Sequence, residues 1–410
     1  MTGRRMKGEG GVTLRADGRW MGTVELGWGP DGKRRRRTLY GRTQREVVVK
    51  LAAERRSVAE HGADLAHTTT VTVYLTRWVE EIAAPRLKPK SLVSYRSVVR
   101  AHLIPRLGRY RLDKLAPQHV RAMDRAIEAD VSPMTALKVH AVLSKALTDA
   151  VREGIVARNV AELVDRPLRS AGTRGAFTVP DAVELLRTTW DDRLGGRWAA
   201  AILTGARQGE LLGLEIDRVG DVVDLSWQLQ RLPYKHGCAT PCGHRFAGDC
   251  PARALDVRPT FEHRVLDGSM ALIRPKSRSG WRVIPLVEPL RTILLARIAA
   301  SASEPNPYGL VWTRRTEKAD NGLWIDPGDD RAAWRDALAR AGLAPALLHS
   351  ARHTTATMLH ALGVDEGTRM KILGHAAIAT TRGYEHDDDT LMRDAAARLG
   401  ALLTPARIEG

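Results

Sequence analysis

Hydrophobic and polar positions divide the chain into three stretches with different periods. In the first sixty residues apolar side chains recur in short runs around Val12–Arg15, Trp20–Trp28 and Arg34–Tyr40. The turn pairs Asp17-Gly18 and Asp31-Gly32 separate them, which predicts a three-stranded antiparallel sheet. Thr43-Gln44-Arg45-Glu46 then reads as a capping box opening a helix to about Glu60. After a polar linker the period becomes helical. Leu75, Trp78, Val79 and Ile82 fit one helix, Leu92, Tyr95 and Val99 a second, and Val120, Met123 and Ile127 a third. The fourth starts at Ser132-Pro133, buries Leu143, Leu147 and Val151, and stops at Gly154. A second polar linker around Arg169–Gly175 leads into a mixed, mainly helical region with a small antiparallel sheet. The expected organisation is multidomain: a small N-terminal sheet plus helix over 1–62, a helical bundle over 70–157, and a larger domain over 174–404.

Charge narrows the partner. The chain carries 64 Lys and Arg against 47 Asp and Glu, a formal +17, which favours a polyanion such as nucleic acid. Within 1–62 the count is 15 basic against 7 acidic, so the N-terminal sheet is a candidate DNA-groove reader through Lys33, Arg34, Arg35 and Arg36. The same run also fits a solvated charged face. On the bundle, Lys88, Lys90 and Arg96 cluster with Arg86 and Arg100 on and before the second helix, where they suit phosphate contacts. The opening residues hold no apolar run, and no window of eighteen apolar residues occurs. A cytoplasmic protein without membrane partners is expected.

Four motifs in the last 235 residues carry chemistry. TGARQGELLGL places Arg207 at the first turn of a helix, where backbone N–H groups and a guanidinium can face one anion. IRPKSRSGWRVIPL places Lys276 near a hairpin tip between two short strands; Arg278, Arg282 and Lys235 compete for its role. LLHSARHTTATML sets His349 and Arg352 three apart on one helical face. LGHAAIATTRGYEH sets His375 after a helix-breaking Leu-Gly step and Tyr384 nine residues on. Two arginines, two histidines, a lysine and a tyrosine, without a Walker loop or carboxylate cluster, suit phosphoryl transfer with no metal ion. Guanidiniums take the developing charge, and tyrosine supplies an oxygen nucleophile.

Arg207 in A-R-x-G-E, Lys276 before R-x-I-P-L, His349-x-x-Arg352, His375 in L-G-H and Tyr384 in Y-x-H resemble the tyrosine recombinase (phage integrase) family. The resemblance implies an arm-type DNA-binding domain, a core-type DNA-binding helical domain and a catalytic domain, in that order. It implies that Tyr384 attacks the scissile phosphate and leaves a 3′-phosphotyrosyl link. Arg207 and Arg352 would hold the phosphate, Lys276 would protonate the departing 5′-oxygen, His349 would assist proton transfer, and His375 would hydrogen-bond the phosphate. Glu210 would buttress Arg207. No catalytic cofactor is implied. The implied partners are double-stranded attachment sites, with accessory DNA-bending or excision-directing proteins. The helix over Thr390–Leu403, with Leu391, Met392, Ala395 and Leu399 on one face, would pack on a neighbouring protomer of a homotetramer, or fold back in cis. The expected activity is integration or excision of a bacterial mobile element. The alternatives are a chromosome-dimer resolvase, a type IB topoisomerase-like nicking-closing enzyme and a non-catalytic DNA-binding regulator.

The stretch GCATPCGHRFAGDC stands apart. It follows a strand expected over Val222–Gln230, and it belongs to an insertion of about Leu232–Gly268 that the family's usual strand crossing lacks. Cys238, Cys242, His244 and Cys250 have spacings a tetrahedral structural zinc can use, with His236 or His263 as substitutes. The alternative is a loop with reduced thiols.

Overall fold

The structure, a computed structural model, describes residues 11–28, 34–61, 69–168, 177–275, 281–315, 321–374 and 385–403. The chain divides into two compact units, Met1–Ala171 and Gly172–Gly410.

The first unit contains two separate cores. Strands β1 (Val12–Leu14), β2 (Trp20–Trp28) and β3 (Arg34–Gly41) form an antiparallel sheet in sequence order. Gly18, at φ 76°, makes the first turn, a conformation that favours glycine. Asp31-Gly32, the second turn signal, lies outside the described residues. Helix α1 (Gln44–His61) covers one face and packs Val47 and Leu51 on Val24. Its start is fixed reciprocally: Glu46 N–H donates to Thr43 Oγ1 at 3.2 Å, and Glu46 Oε2 accepts from Arg42 N–H at 2.8 Å.

The second core belongs to α2 (Val71–Arg77), α3 (Pro89–Val98), the short α4 (Ile104–Leu107), α5 (Pro117–Asp130) and α6 (Pro133–Arg152). Two helices run on through wider π turns, Trp78–Ala83 after α2 and Val99–Leu103 after α3. Trp78 is wholly buried, and its indole donates to Asp149 at 2.9 Å, so the polar edge of a core tryptophan is satisfied. Val151, expected in the core, is only half-buried near the end of α6.

In the second unit, α7 (Val179–Thr188), α8 (Gly195–Thr204) and α9 (Gln208–Leu212) precede the strands β4 (Val222–Asp224), β5 (Gln228–Arg231), β6 (Tyr234–Lys235), β7 (Ala254–Leu255), β8 (His263–Asp267), β9 (Met270–Ile273) and β10 (Val283–Pro285). Helices α10 (Leu290–Ser301), α11 (Pro327–Arg340), α12 (Ser350–Ala361), α13 (Glu366–Leu373) and α14 (Glu385–Leu403) complete it. Helices therefore dominate, with small antiparallel sheets beside them. Two strand expectations need correction. The single strand over Val222–Gln230 is two: β4 pairs with β10, and β5 pairs with β9 in the order β5-β9-β8. The chain breaks where buried Leu225 and Trp227 leave the ladder to enter the main core. As a result β9 and β10, which flank Lys276, do not pair with each other, and the expected hairpin becomes a crossing between two sheets.

The C-terminal helix α14 packs on its own chain. Ala395, Leu399 and Leu403 are buried in the main core, while Leu391 is 50% exposed. A Cβ at Gly400 would meet the Glu288 carbonyl oxygen at 2.3 Å, so glycine permits this close docking. Within this single chain the buried face of α14 packs in cis, the second of the two arrangements expected for it.

Candidate active site

The site begins where α8 ends. Gly205 adopts φ +59°, ending α8, and its carbonyl accepts from Arg352 Nη1 at 2.8 Å. A Cβ there would lie 2.5 Å from Leu373 Cδ2. Two residues later Arg207 precedes α9. Its N–H donates to Glu210 Oε2 at 2.8 Å, and its Nη1 donates to Glu210 Oε1 at 2.6 Å. Glu210 thus takes the Arg207 backbone donor, and the Arg207 guanidinium is the part of this residue left to face an anion. Arg207 is partly open to solvent, with 38% of its side chain exposed, whereas Glu210 is fully enclosed.

A third arginine completes the group. Arg282, on the approach to β10, donates Nη2 to Glu210 Oε2 at 2.9 Å and Nη1 to the Leu373 carbonyl at 2.7 Å. In the sequence Arg282 reads only as a competitor of Lys276. The signal lay in the R-x-I-P-L motif, where strand alternation turns Arg282 inward with Ile284. Arg352, buried in the first turn of α12, donates to the same Leu373 carbonyl, and Arg207 Nη2 reaches the Gly374 carbonyl at 3.3 Å. The carbonyl end of α13 is therefore held by three guanidiniums, one residue before His375. A helix C-terminus is the negative end of the macrodipole and suits this role.

The cluster carries three cations on one carboxylate. Burial, followed by repulsion from Arg282 and Arg207, lowers Arg352 from the ordinary guanidinium value to about 9, with Glu210 opposing the shift. Burial also lowers Arg282, again opposed by Glu210. The surplus of positive charge in a partly enclosed pocket favours a monoanion with several acceptor oxygens, as a phosphodiester has.

His349 is exposed at the position before α12, with its ring edge-on to half-buried His353 at 5.0 Å. His349 and Arg352 thus flank the first turn of one helix. Lys276, His375, Tyr384 and the competitor Arg278 lie outside the described residues. The segment leading to Lys276 is anchored nonetheless. Arg274 stacks on Trp227 at 4.1 Å and on Trp281 at 4.5 Å, and Arg264 lies over Trp227 at 4.5 Å. Behind α9, fully buried Arg197 pairs with Asp330 at 2.8 Å, and Gln208 Nε2 donates to the same carboxylate at 2.6 Å.

On the N-terminal sheet, Arg34 and Arg36 lie on the face opposite α1, both within 4 Å of Glu25. Lys33 and the side chain of Arg35 lie outside the described residues. In the bundle, Lys88 immediately precedes α3, Lys90 is exposed, and Arg96 is held by both carboxylate oxygens of Glu80 at 2.8 and 2.6 Å.

The cysteine cluster differs from expectation in one ligand. Cys238, Cys242 and Cys250 come together with His236, all four donor atoms lying within 4.8 Å of one another. His244 does not join them. Gly243, at φ 75°, turns the chain after Cys242, and His244 is exposed. Pairing of β6 with β7 instead brings His236, the next residue after β6, alongside the cysteines. His263 is occupied elsewhere, bonded to the Phe261 carbonyl at 2.7 Å.

Comparison with known proteins gives a consistent picture. The model of the phage integrase N-terminal SAM-like domain matches residues 70–123, and that of the phage integrase family matches residues 264–390. An integrase from Saccharopolyspora erythraea is 31% identical over 423 aligned residues, covering 97% of each chain. Among solved structures, the fold is similar to the Tn1549 transposon integrase in complex with transposon right end DNA, with a TM-score of 0.58 and 17% identity over 78% of this chain and 97% of that one. It is also similar to a lambda integrase tetramer bound to a Holliday junction, with a TM-score of 0.51 and 15% identity over 93% and 99% of the two chains.

Proposed function

The chain belongs to the phage integrase family of tyrosine recombinases and is a site-specific recombinase of a mobile element, and we propose that Tyr384 is its nucleophile and Arg207 and Arg352 its phosphate clamp. In this mechanism the Tyr384 oxygen forms a bond to the scissile phosphorus as the bond from phosphorus to the 5′-oxygen breaks. The result is a 3′-phosphotyrosyl link and a free 5′-hydroxyl. Lys276 gives the departing oxygen its proton, and His349 receives the proton from the tyrosine. His375 donates to a non-bridging oxygen. The exchange replaces one phosphodiester with another, so rejoining by a 5′-hydroxyl of the partner duplex requires no ATP.

The observation that carries this assignment is the group of Arg207, Arg282 and Arg352 around one carboxylate and the carbonyl end of α13. Preorganised donors of this kind stabilise charge as it develops, without reorganising during the reaction. Glu210 and Arg282 are positioning residues: they hold the Arg207 guanidinium and the backbone next to His375. The guanidiniums supply the charge stabilisation that a divalent cation supplies in other phosphoryl transfers, so the reaction is expected to proceed in chelator.

The domain roles are part of the same proposal. The sheet face bearing Arg34 and Arg36 would read arm-type DNA, and the bundle face bearing Lys88, Lys90 and Arg96 would hold core-site phosphates. Four copies on two duplexes are expected, consistent with the tetrameric lambda integrase neighbour. Directionality would be set by DNA-bending or excision-directing partners in the bacterial cytoplasm. The test is a reaction between two differently labelled duplexes carrying the direct repeats that flank the element, in excess chelator. Labelled strands should exchange with wild type and should not with Arg207→Ala. Relaxation of supercoiled DNA with no exchanged strands would replace this function with a nicking-closing activity.

A further inference from the structure

The inserted segment between β5 and β9 has little apolar material of its own. Its satellite core consists of Leu232 and Phe261 with Ala271 and Ile273 of β9, supported by half-buried Leu255 and Val257. Beyond that core the only buried residue among those described between His236 and Thr260 is Cys250, which is fully enclosed. A surface segment whose one buried side chain is a sulfur needs some other cross-link to hold its shape.

The four donor atoms lie within 4.8 Å of one another, and two of their separations match the edges of a coordination tetrahedron. Metal–ligand lengths of about 2.3 Å for sulfur and about 2.0 Å for imidazole nitrogen give tetrahedral edges of about 3.8 Å between sulfurs and about 3.5 Å between nitrogen and sulfur. Cys238 Sγ and Cys250 Sγ are 3.8 Å apart, and Cys242 Sγ and His236 Nδ1 are 3.4 Å apart. The sulfur separation is far longer than the roughly 2.05 Å of a disulfide, and all three cysteines are free.

The local fold brings these atoms together. The β6–β7 ribbon sets His236 beside the returning chain, and Asp256 N–H closes it on the Pro233 carbonyl at 2.7 Å. Gly237 allows the two backbones to meet, since a Cβ there would lie 2.2 Å from the Ala252 carbonyl oxygen. A 3₁₀ turn over Ala247–Asp249 then delivers Cys250, whose N–H donates to the Ala247 carbonyl at 3.3 Å.

We propose that His236, Cys238, Cys242 and Cys250 bind one structural Zn²⁺ that cross-links the inserted segment, tying the end of β6 to the turns that carry Cys242 and Cys250. Three soft thiolates and one imidazole in tetrahedral array select zinc over the oxygen-preferring cations, and four protein ligands complete a closed, structural coordination shell. The ion would be separate from the strand-exchange chemistry, which the arginines and Tyr384 carry.

The test is metal analysis of the full chain purified without chelator, followed by zinc-affinity measurement in competition with a chromophoric chelator. Wild type should hold about one equivalent of zinc, and cobalt substitution should give the intense visible bands of a tetrahedral thiolate site. His236→Ala should weaken zinc by at least about 10²-fold, and His244→Ala should change it by less than about threefold. His236 is exposed, so its variant separates ligand loss from unfolding, whereas the buried Cys250 would not. Three outcomes overturn the proposal: wild-type protein with less than about 0.2 equivalents, a greater loss in His244→Ala than in His236→Ala, or a Cys238–Cys250 disulfide in protein purified with reductant.

Discussion

Replacing Glu210 by glutamine removes one charge and leaves shape almost unchanged. Glu210 accepts from Arg207 N–H, Arg207 Nη1 and Arg282 Nη2 at 2.6–2.9 Å, and its carboxylate is fully enclosed. A glutamine has one acceptor oxygen, so in either orientation at least one of these donors faces an amide N–H. Arg282, only 4% exposed, would then lie beside Arg207 and Arg352 with no anion to offset it. Breaking a buried ion pair by removing one partner costs about 3–5 kcal/mol. In a folding unit of this size, at roughly 2–4 °C per kcal/mol, the melting temperature should fall by about 6–20 °C. Thermal denaturation followed by circular dichroism measures it. Sulfate should recover more stability in Glu210→Gln than in wild type, because an anion meeting the exposed guanidiniums stabilises the folded state by mass action. A shift below about 2 °C would show that Glu210 is not the counter-charge of the cluster.

Glu304 is gripped by Arg193 and Arg297 at 2.7–3.1 Å, which holds its carboxyl far below the ordinary 4.5. Its stabilisation is therefore complete above about pH 4.5 and is lost as pH falls toward the folded value. The difference in urea midpoint between wild type and Glu304→Gln should be largest at neutral pH and shrink at pH 3; a constant difference would contradict the linkage. Gly205→Ala forces a side chain into the left-handed region and against Leu373, and should cost at least about 1–2 kcal/mol in denaturant titration while also slowing cleavage, since the Gly205 carbonyl orients Arg352. For the buried pair, Asp330→Leu alone should cost about 3–5 kcal/mol, and adding Arg197→Met should restore most of it. Strict additivity of the two changes would mean that the pair is not coupled.

Much of this fold was legible because local signals agreed. All three N-terminal strands and the capped helix α1 stand within a few residues of their expected limits, since turn glycines, alternation and a capping box point the same way. The bundle helices follow from spacing and, for α6, from Ser132-Pro133 at its start. Pairing partners were not legible. The alternating stretch from Val222 to Gln230 reads as one strand, and only tertiary packing of Leu225 and Trp227 reveals that it feeds two sheets. In the site, Arg207, Glu210 and Arg352 carry motif signals. Arg282 was ambiguous because its partners, Glu210 and the end of α13, lie 72 and 91 positions away. The exchange of His244 for His236 has the same cause: sequence distance favours His244, while strand pairing brings His236.

In the proposed function this chain cuts DNA through Tyr384 with a phosphate held by Arg207 and Arg352. Covalent trapping on a nicked suicide substrate tests it most directly, because loss of the short strand beyond the cut prevents rejoining. Wild type should form a denaturant-resistant adduct whose DNA-linked peptide contains Tyr384, and Tyr384→Phe should form none while still binding the duplex. An adduct that persists in Tyr384→Phe, or one mapped to another residue, would contradict the account.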